Sequence, residues 1–285
     1  MSAAGGAVLA VAASVVMHVT WNLIARHQAR EAYPLWWVLL AHLVLLGPWG
    51  AYSLWREVQW TPALAQWVLI SASANVVYFI GLRRAYEHAP VAFVYPLVRS
   101  SPILIALWST LFLGDALGLA AWTGILVSVI GLVVLARAGG GAQDARALPW
   151  ALLAMFATSI YSLTDRAATA HVPSFGGLVG FVSIGYLASW LALTLDLRRA
   201  SGAWRPAARI GLPVAVVGGL CIGLAYALVI HAMRSMPAAI VVGLTNAGIV
   251  LASLASIFLF NERFAWKTRA AGAAVVCAGL FMIAL

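Results

Sequence analysis

Arg99 is the residue whose placement most demands chemistry. It stands in "VAFVYPLVRSSPILIALW", and no other Lys or Arg occurs between Arg84 and Arg137. A guanidinium presents paired donors that match carboxylates and phosphates, so the chemistry on offer is anion recognition. Four other apolar runs carry polar or aromatic residues at three- and four-residue intervals, which puts each set on one helix face. Ser14, His18, Trp21 and Asn22 form one set, and Ser71, Asn75 and Tyr78 a second. Thr158, Tyr161, Ser162 and Asp165 form a third; Thr245, Asn246 and Ser253 form the fourth. Hydrocarbon offers such groups no partner, so they turn inward. There they either bond helix to helix, at about 0.6–2 kcal/mol each, or line a cavity. Asn22, Tyr78 and Tyr161 have the bulk of cavity walls. Tyr95, one turn before Arg99, Asn246, and the inward residues Trp21, His18 and Asn75 complete the candidate binding set.

Reaction chemistry is harder to find. His18 and His42 lie deep in apolar runs and read as packing residues, although either could carry a proton. Asp115, Asp165, Asp196 and Glu262 fall at the ends of runs, where pairing with Arg is the expected job. No H-E-x-x-H, C-x-x-C or G-x-S-x-G pattern occurs, so no metal site, cofactor or enzyme activity is expected.

The elements that hold these residues follow from composition. Of 285 residues, 64% are hydrophobic and 9% charged, against about 25% charged in soluble domains. That excludes a soluble domain, which could not cover its surface, and thirteen Trp exclude disorder. The formal charge of +9 resembles a nucleic-acid footprint, but the cations punctuate apolar runs and build no basic face. Cys221 and Cys277 sit inside apolar stretches as small packing residues. The first apolar run lacks a basic leader and reads as a retained helix.

Breaks at charges, Pro and Gly give ten bilayer-length segments. They are 5–25, 33–55, 64–86, 90–113, 117–137, 148–166, 174–197, 210–233, 237–260 and 266–285. A Gly-rich linker, 138–147, separates residues 1–137 from 148–285. These parts repeat. "LFLGDAL" with Asp115 and "IFLFNERF" with Glu262 lie 147 residues apart, as do Pro90 and Pro237. "TWNLIAR" and "IYSLTDR" lie 140 apart. With five helices each, the second repeat must enter the membrane inverted, so the fold class is an all-α polytopic membrane protein of two inverted five-helix repeats. Loops 1–2, 3–4, 5–6, 7–8 and 9–10 carry thirteen Lys and Arg, the alternate loops only Arg56, Arg166 and Arg234. The first set is therefore cytoplasmic and both termini are outside. Trp36, Trp37, Tyr52 and Trp55 fit the interfacial aromatic belts.

The chain resembles the drug/metabolite transporter superfamily, in its ten-helix EamA-type branch. "PLVRSSPILIALWSTLFLGDAL", "WTGILVSVIGLVVL" with Gly124 and Gly131, and "LASIFLFNERFAWKTRAAGAAVVCAGL" with Glu262, Gly272 and Gly279 carry the resemblance. Asp115 replaces the family's usual Glu, and Ile249 stands where the first repeat has Pro102. The resemblance implies a secondary transporter in the cell (inner) membrane, with a small-molecule solute and the lipid bilayer as partners, no nucleic acid, and a monomeric or homodimeric state.

Arg99 bears on the solute. Counted from Pro90, it lies nine residues into its helix, about 13.5 Å along and near the midplane. A central Arg costs about 2.5–3.5 kcal/mol on insertion scales, so it faces protein, water or an anion. Two readings stand: an anion-binding residue, or a structural Arg held by carbonyls that Pro96 and Pro102 free, or by Tyr95 and Asn246. The first points to a carboxylate, amino acid, phosphonate or phosphate ester moved by alternating access; the alternative is an exporter of amphipathic drugs, with a channel or non-transport partner further off.

Overall fold

In the computed structural model, residues 3–25, 33–139, 145–261 and 263–285 are described. They form thirteen α-helices and contain no strand. In chain order these are α1 (Ala3–Ala25), α2 (Pro34–Leu45), α3 (Gly47–Glu57), α4 (Pro62–His88), α5 (Val91–Val98), α6 (Pro102–Phe112) and α7 (Leu119–Arg137). The rest are α8 (Ala147–Ala168), α9 (Phe175–Ser201), α10 (Leu212–Ala232), α11 (Ala238–Leu244), α12 (Ala247–Phe258) and α13 (Trp266–Ala284).

Each of the ten expected segments is helical, but three are interrupted. Eight spans are long and apolar enough to cross a bilayer, with α5–α6 and α11–α12 each counted once; α2 and α3 make a ninth despite a 51° bend. The apolar stretch of α1, Gly5–Trp21, is shorter. The α2–α3 bend has a local cause. Pro48 has no amide hydrogen for the carbonyl of Val44 and its ring crowds that turn, so the helix ends at Leu45 and restarts at Gly47. Glu262, Arg26, Arg30 and residues 140–144 of the linker lie outside the described residues.

The chain divides into two compact units, Met1–Ile80 with Thr164–Arg234, and Gly81–Leu163 with Ser235–Leu285. Both contain residues from either side of 138–147, so the compact units do not follow the expected division into 1–137 and 148–285.

The first unit is built on α2, α9 and α10, whose Trp36, Val38, Leu39, Leu178, Val179 and Ile230 are buried together. Here α3 touches α9 backbone to backbone: a Cβ on Gly50 would lie 2.5 Å from Gly180 Cα. Trp36 is therefore no belt residue. It is buried, donates from Nε1 to Thr194 Oγ1 at 2.8 Å, and lies 5.3 Å from the Trp190 ring. A ring that can pack and also place its N–H has more to gain inside. Tyr52 and Trp55 are exposed, as a belt requires.

The second unit packs α7 along α13. A Cβ on Gly131 would meet Val276 N at 2.7 Å, so the two helices approach as closely as small residues permit. Leu132, Leu135, Val250, Ala273 and Val276 form its apolar seam with α12.

Candidate functional site

Two spans of the second unit break near their middles, and the breaks meet. Arg99 caps α5 with φ −74° and ψ 0°. Pro102 opens α6 and cannot donate to the Val98 carbonyl, which instead takes Ser101 N at 3.3 Å. Ile103 N turns to Ser100 O, also at 3.3 Å. The Arg99 carbonyl is thus left without its helical donor, and Asn246 Nδ2 supplies one at 3.2 Å.

The break between α11 and α12 arises differently. Position 249 is Ile, not Pro, yet the helix still stops at Leu244 and resumes at Ala247. Thr245 Oγ1 donates back to Val242 O at 2.6 Å, and Asn246 N turns to Gly243 O at 3.0 Å, so this local bond competes with the helical ladder. Gly248 N then bonds Thr245 O at 3.0 Å, and Ile249 N bonds Asn246 O at 2.9 Å. The sequence expectation that this helix runs unbroken from Pro237 is corrected by this hydroxyl.

Around these breaks stands a polar group of four. Arg99 Nη2 donates to Thr245 Oγ1, and the guanidinium carbon lies 5.9 Å from the Tyr95 ring centroid. Asn246 and Thr245 are buried. Arg99 Nε and Asn246 Oδ1 are buried with no hydrogen-bond partner. Part of the structural reading of Arg99 is realised here, since hydroxyl, ring and amide all hold the residue. None of these partners is an anion, so the charge stays uncompensated by its neighbours and a donor remains unspent.

The other candidates divide between the two units. Tyr161 belongs to the same compact unit and is buried. His18, Trp21, Asn75 and Tyr78 belong to the first unit. Trp21 packs where a Cβ on Gly218 would come within 2.6 Å of its ring, as a core residue does. Asn75 Nδ2 donates to Ser71 O at 3.0 Å, and Tyr78 stands edge-on to Phe79 at 5.0 Å. Asn22 lies on α1, with its side chain outside the description. His42 is buried with Nε2 2.9 Å from Ser183 Oγ, in keeping with a packing role.

Asp165 differs from expectation. It does not pair with an Arg at a helix end but is 1% exposed, inside the first unit. Ser71 Oγ donates to its Oδ1 and Tyr226 OH to its Oδ2. Thr245 and Tyr226 are the polar partners that sequence reasoning left out of the site. Thr245 was visible as part of a stripe; Tyr226, alone in "GLAYALVI", carried no periodic signal. Among the described residues no group of three or more His, Cys, Asp or Glu could hold a metal ion.

Known proteins agree with this architecture. A protein of known crystal structure aligns with 97% of this chain and 98% of its own, at a TM-score of 0.71 and 22% identity, a likeness of fold. No curated protein matches the sequence. Residues 5–137 match the EamA-like transporter family. With its many apolar spans, the chain is a multi-pass membrane protein whose residues 5–137 are similar to the EamA-like transporter family, a likeness consistent with the drug/metabolite transporter superfamily.

Proposed function

We propose that this protein is a secondary transporter of a small organic anion or zwitterion, such as a carboxylate, amino acid or phosphonate, and that Arg99 holds the anionic group. The observation that carries the reading is the meeting of two mid-span breaks in one unit. A guanidinium on the ninth residue of the 22-residue span Val91–Phe112 lies against Thr245, Tyr95 and Asn246, with no anionic partner among the described residues. Broken helices in a membrane are tolerated where they are buried in protein or line a cavity, and transporters use them to bind solutes near the midplane. Asn246 is neutral where Arg99 is charged, so the site would take one anionic group and hydrogen-bond the remainder. Alternating access between ten helices arranged as two inverted repeats, in the inner membrane with both termini outside, completes the proposal. The paired breaks at positions 147 residues apart support the repeat, and the distribution of Lys and Arg supports the orientation.

The test is ligand-induced stabilisation of the purified protein by a panel of carboxylates, amino acids, phosphonates and phosphate esters, followed by flux of the best one in proteoliposomes. Arg99→Gln should abolish the stabilisation by anions. Arg99→Lys should weaken it about tenfold or more, because the ammonium keeps charge but loses the paired donors. If Arg99→Gln binds and moves the best anion as the wild type does, Arg99 is structural and the proposal fails.

A further inference from the structure

The first unit contains a carboxylate that the anion site does not use. Asp165 lies three residues before the end of α8, and its side chain is enclosed by α4, α9 and α10. The cavity at its side is lined by Ser71, Asn75, Phe181, Val182, Gly185, Tyr186 and Tyr226, and has room for about a single water. α4 presents Ser71 and Asn75, α10 presents Tyr226, and α9 presents apolar atoms and Tyr186, whose hydroxyl donates to Ile222 O at 3.2 Å. The titratable groups in this lining are the two tyrosines and Asp165 itself, and no cation is among them.

A bare carboxylate in such surroundings is expensive, since an ion leaving water loses several kcal/mol that only a partner charge or good hydrogen bonds recover. Two hydroxyls are a partial answer. They also form a directional chain. Asn75 Nδ2 lies 3.4 Å from Ser71 Oγ, Ser71 donates to Asp165 Oδ1, and Tyr226 donates to Oδ2 from the opposite side. In this form the carboxylate accepts twice and ties α4 to α10 through α8. A proton arriving on either oxygen reverses one of those bonds. The carboxyl O–H must donate, so Ser71 or Tyr226 has to turn its own hydrogen away and accept. Uptake of one proton therefore adds one O–H bond at Asp165, removes one unit of negative charge, and loosens one of the two ties between helices.

We propose that Asp165, with Ser71 and Tyr226, is a proton-binding site whose occupancy is coupled to solute movement. Ionisable residues within membrane spans are rare, and proton relays are one of the functions they mark. The coupling half of this inference rests on the transport reading above; the proton-binding half does not.

Infrared difference spectra of the full-length protein in lipid, between acidic and alkaline buffer, test the second half without any solute. A protonated-carboxyl band is expected in the wild type and lost in Asp165→Asn. In Tyr226→Phe, which keeps the carboxyl, the band should persist at a shifted frequency because one hydrogen-bond partner is gone. Arg99→Gln should leave it in place. If no pH-dependent band disappears in Asp165→Asn, or Tyr226→Phe leaves the band unmoved, the proton site is refuted. Proteoliposome flux of the most stabilising anion tests the coupling: an imposed pH gradient should change wild-type flux several-fold and leave Asp165→Asn flux unresponsive. A gradient response that survives in Asp165→Asn overturns the coupling. Should no panel anion move in the wild type, the transport reading fails while the infrared result still decides the proton site.

Discussion

Arg99 and Asn246 illustrate what residue type and position can disclose. The cost of a mid-span guanidinium, and its 147-residue relation to a second polar residue, are both visible before any coordinates. What could not be seen is that Asn246 serves the Arg99 backbone rather than its side chain, with Nδ2 on the carbonyl at 3.2 Å. Donor geometry depends on where two helices break, and that is a tertiary fact. A stability prediction follows at this scale. Asn246→Leu keeps the branched shape but leaves the part-buried Arg99 carbonyl without this donor, which costs about 1–3 kcal/mol. Equilibrium unfolding in mixed detergent should show that loss, and Asn246→Gln should recover part of it. An Asn246→Leu protein as stable as the wild type would mean that the carbonyl has another partner. Asp165 was misjudged for a related reason. Its position near a helix end suggested an Arg partner, but depth along a helix does not report enclosure, and α4, α9 and α10 close over it.

Helices were the most legible elements, because twenty apolar residues in a row leave the backbone little choice in lipid. Their interruptions were legible only where proline makes them. Pro48 and Pro102 remove an amide hydrogen, and the breaks at Leu46 and Arg99–Ser101 follow. The break at Thr245–Asn246 depends on a hydroxyl that looks in the sequence like any interhelical bond, until Thr245 Oγ1 is found on Val242 O. Helix contacts offer a sharper prediction. Gly131 on α7 admits no side chain, since its Cβ would meet Val276 N at 2.7 Å, whereas Gly6 on α1 has nothing within 4 Å of such an atom. Gly131→Ala must push α7 and α13 apart and should lower the unfolding midpoint in detergent. Gly6→Ala should be neutral or gain about 0.5–1 kcal/mol, because alanine suits a helix interior better. Equal responses from the two variants would show that the α7–α13 approach does not limit stability.

At the scale of the whole molecule, the recurring sequence patterns and the compact units divide the chain differently. Sequence order divides at 138–147, while each unit combines residues from both sides of that linker. Packing records which faces bury one another, and no local pattern on one side of that linker specifies a partner on the other. Orientation in the membrane belongs to the same scale and rests on the cations. Those assigned to the cytoplasm outnumber the rest thirteen to three. Two of the thirteen, Arg83 and Arg84, pair with Glu87 at 2.8 and 3.4 Å, but the positive-inside rule counts Lys and Arg rather than net charge. Among the three exceptions, Arg234 donates to the carbonyls of Pro173 and Val172, so its place is fixed by the turn it braces. Replacing Cys221 and Cys277 and adding one Cys at a time gives the test. Ser201→Cys, at the exposed end of α9, should react with a membrane-impermeant maleimide only from the cytoplasmic side. Ser2→Cys should react only from the other side. Because the number of crossings between positions 2 and 201 fixes their relative sides, both labels on one face would contradict seven spans between them, and a swap of the two faces would contradict the charge rule alone.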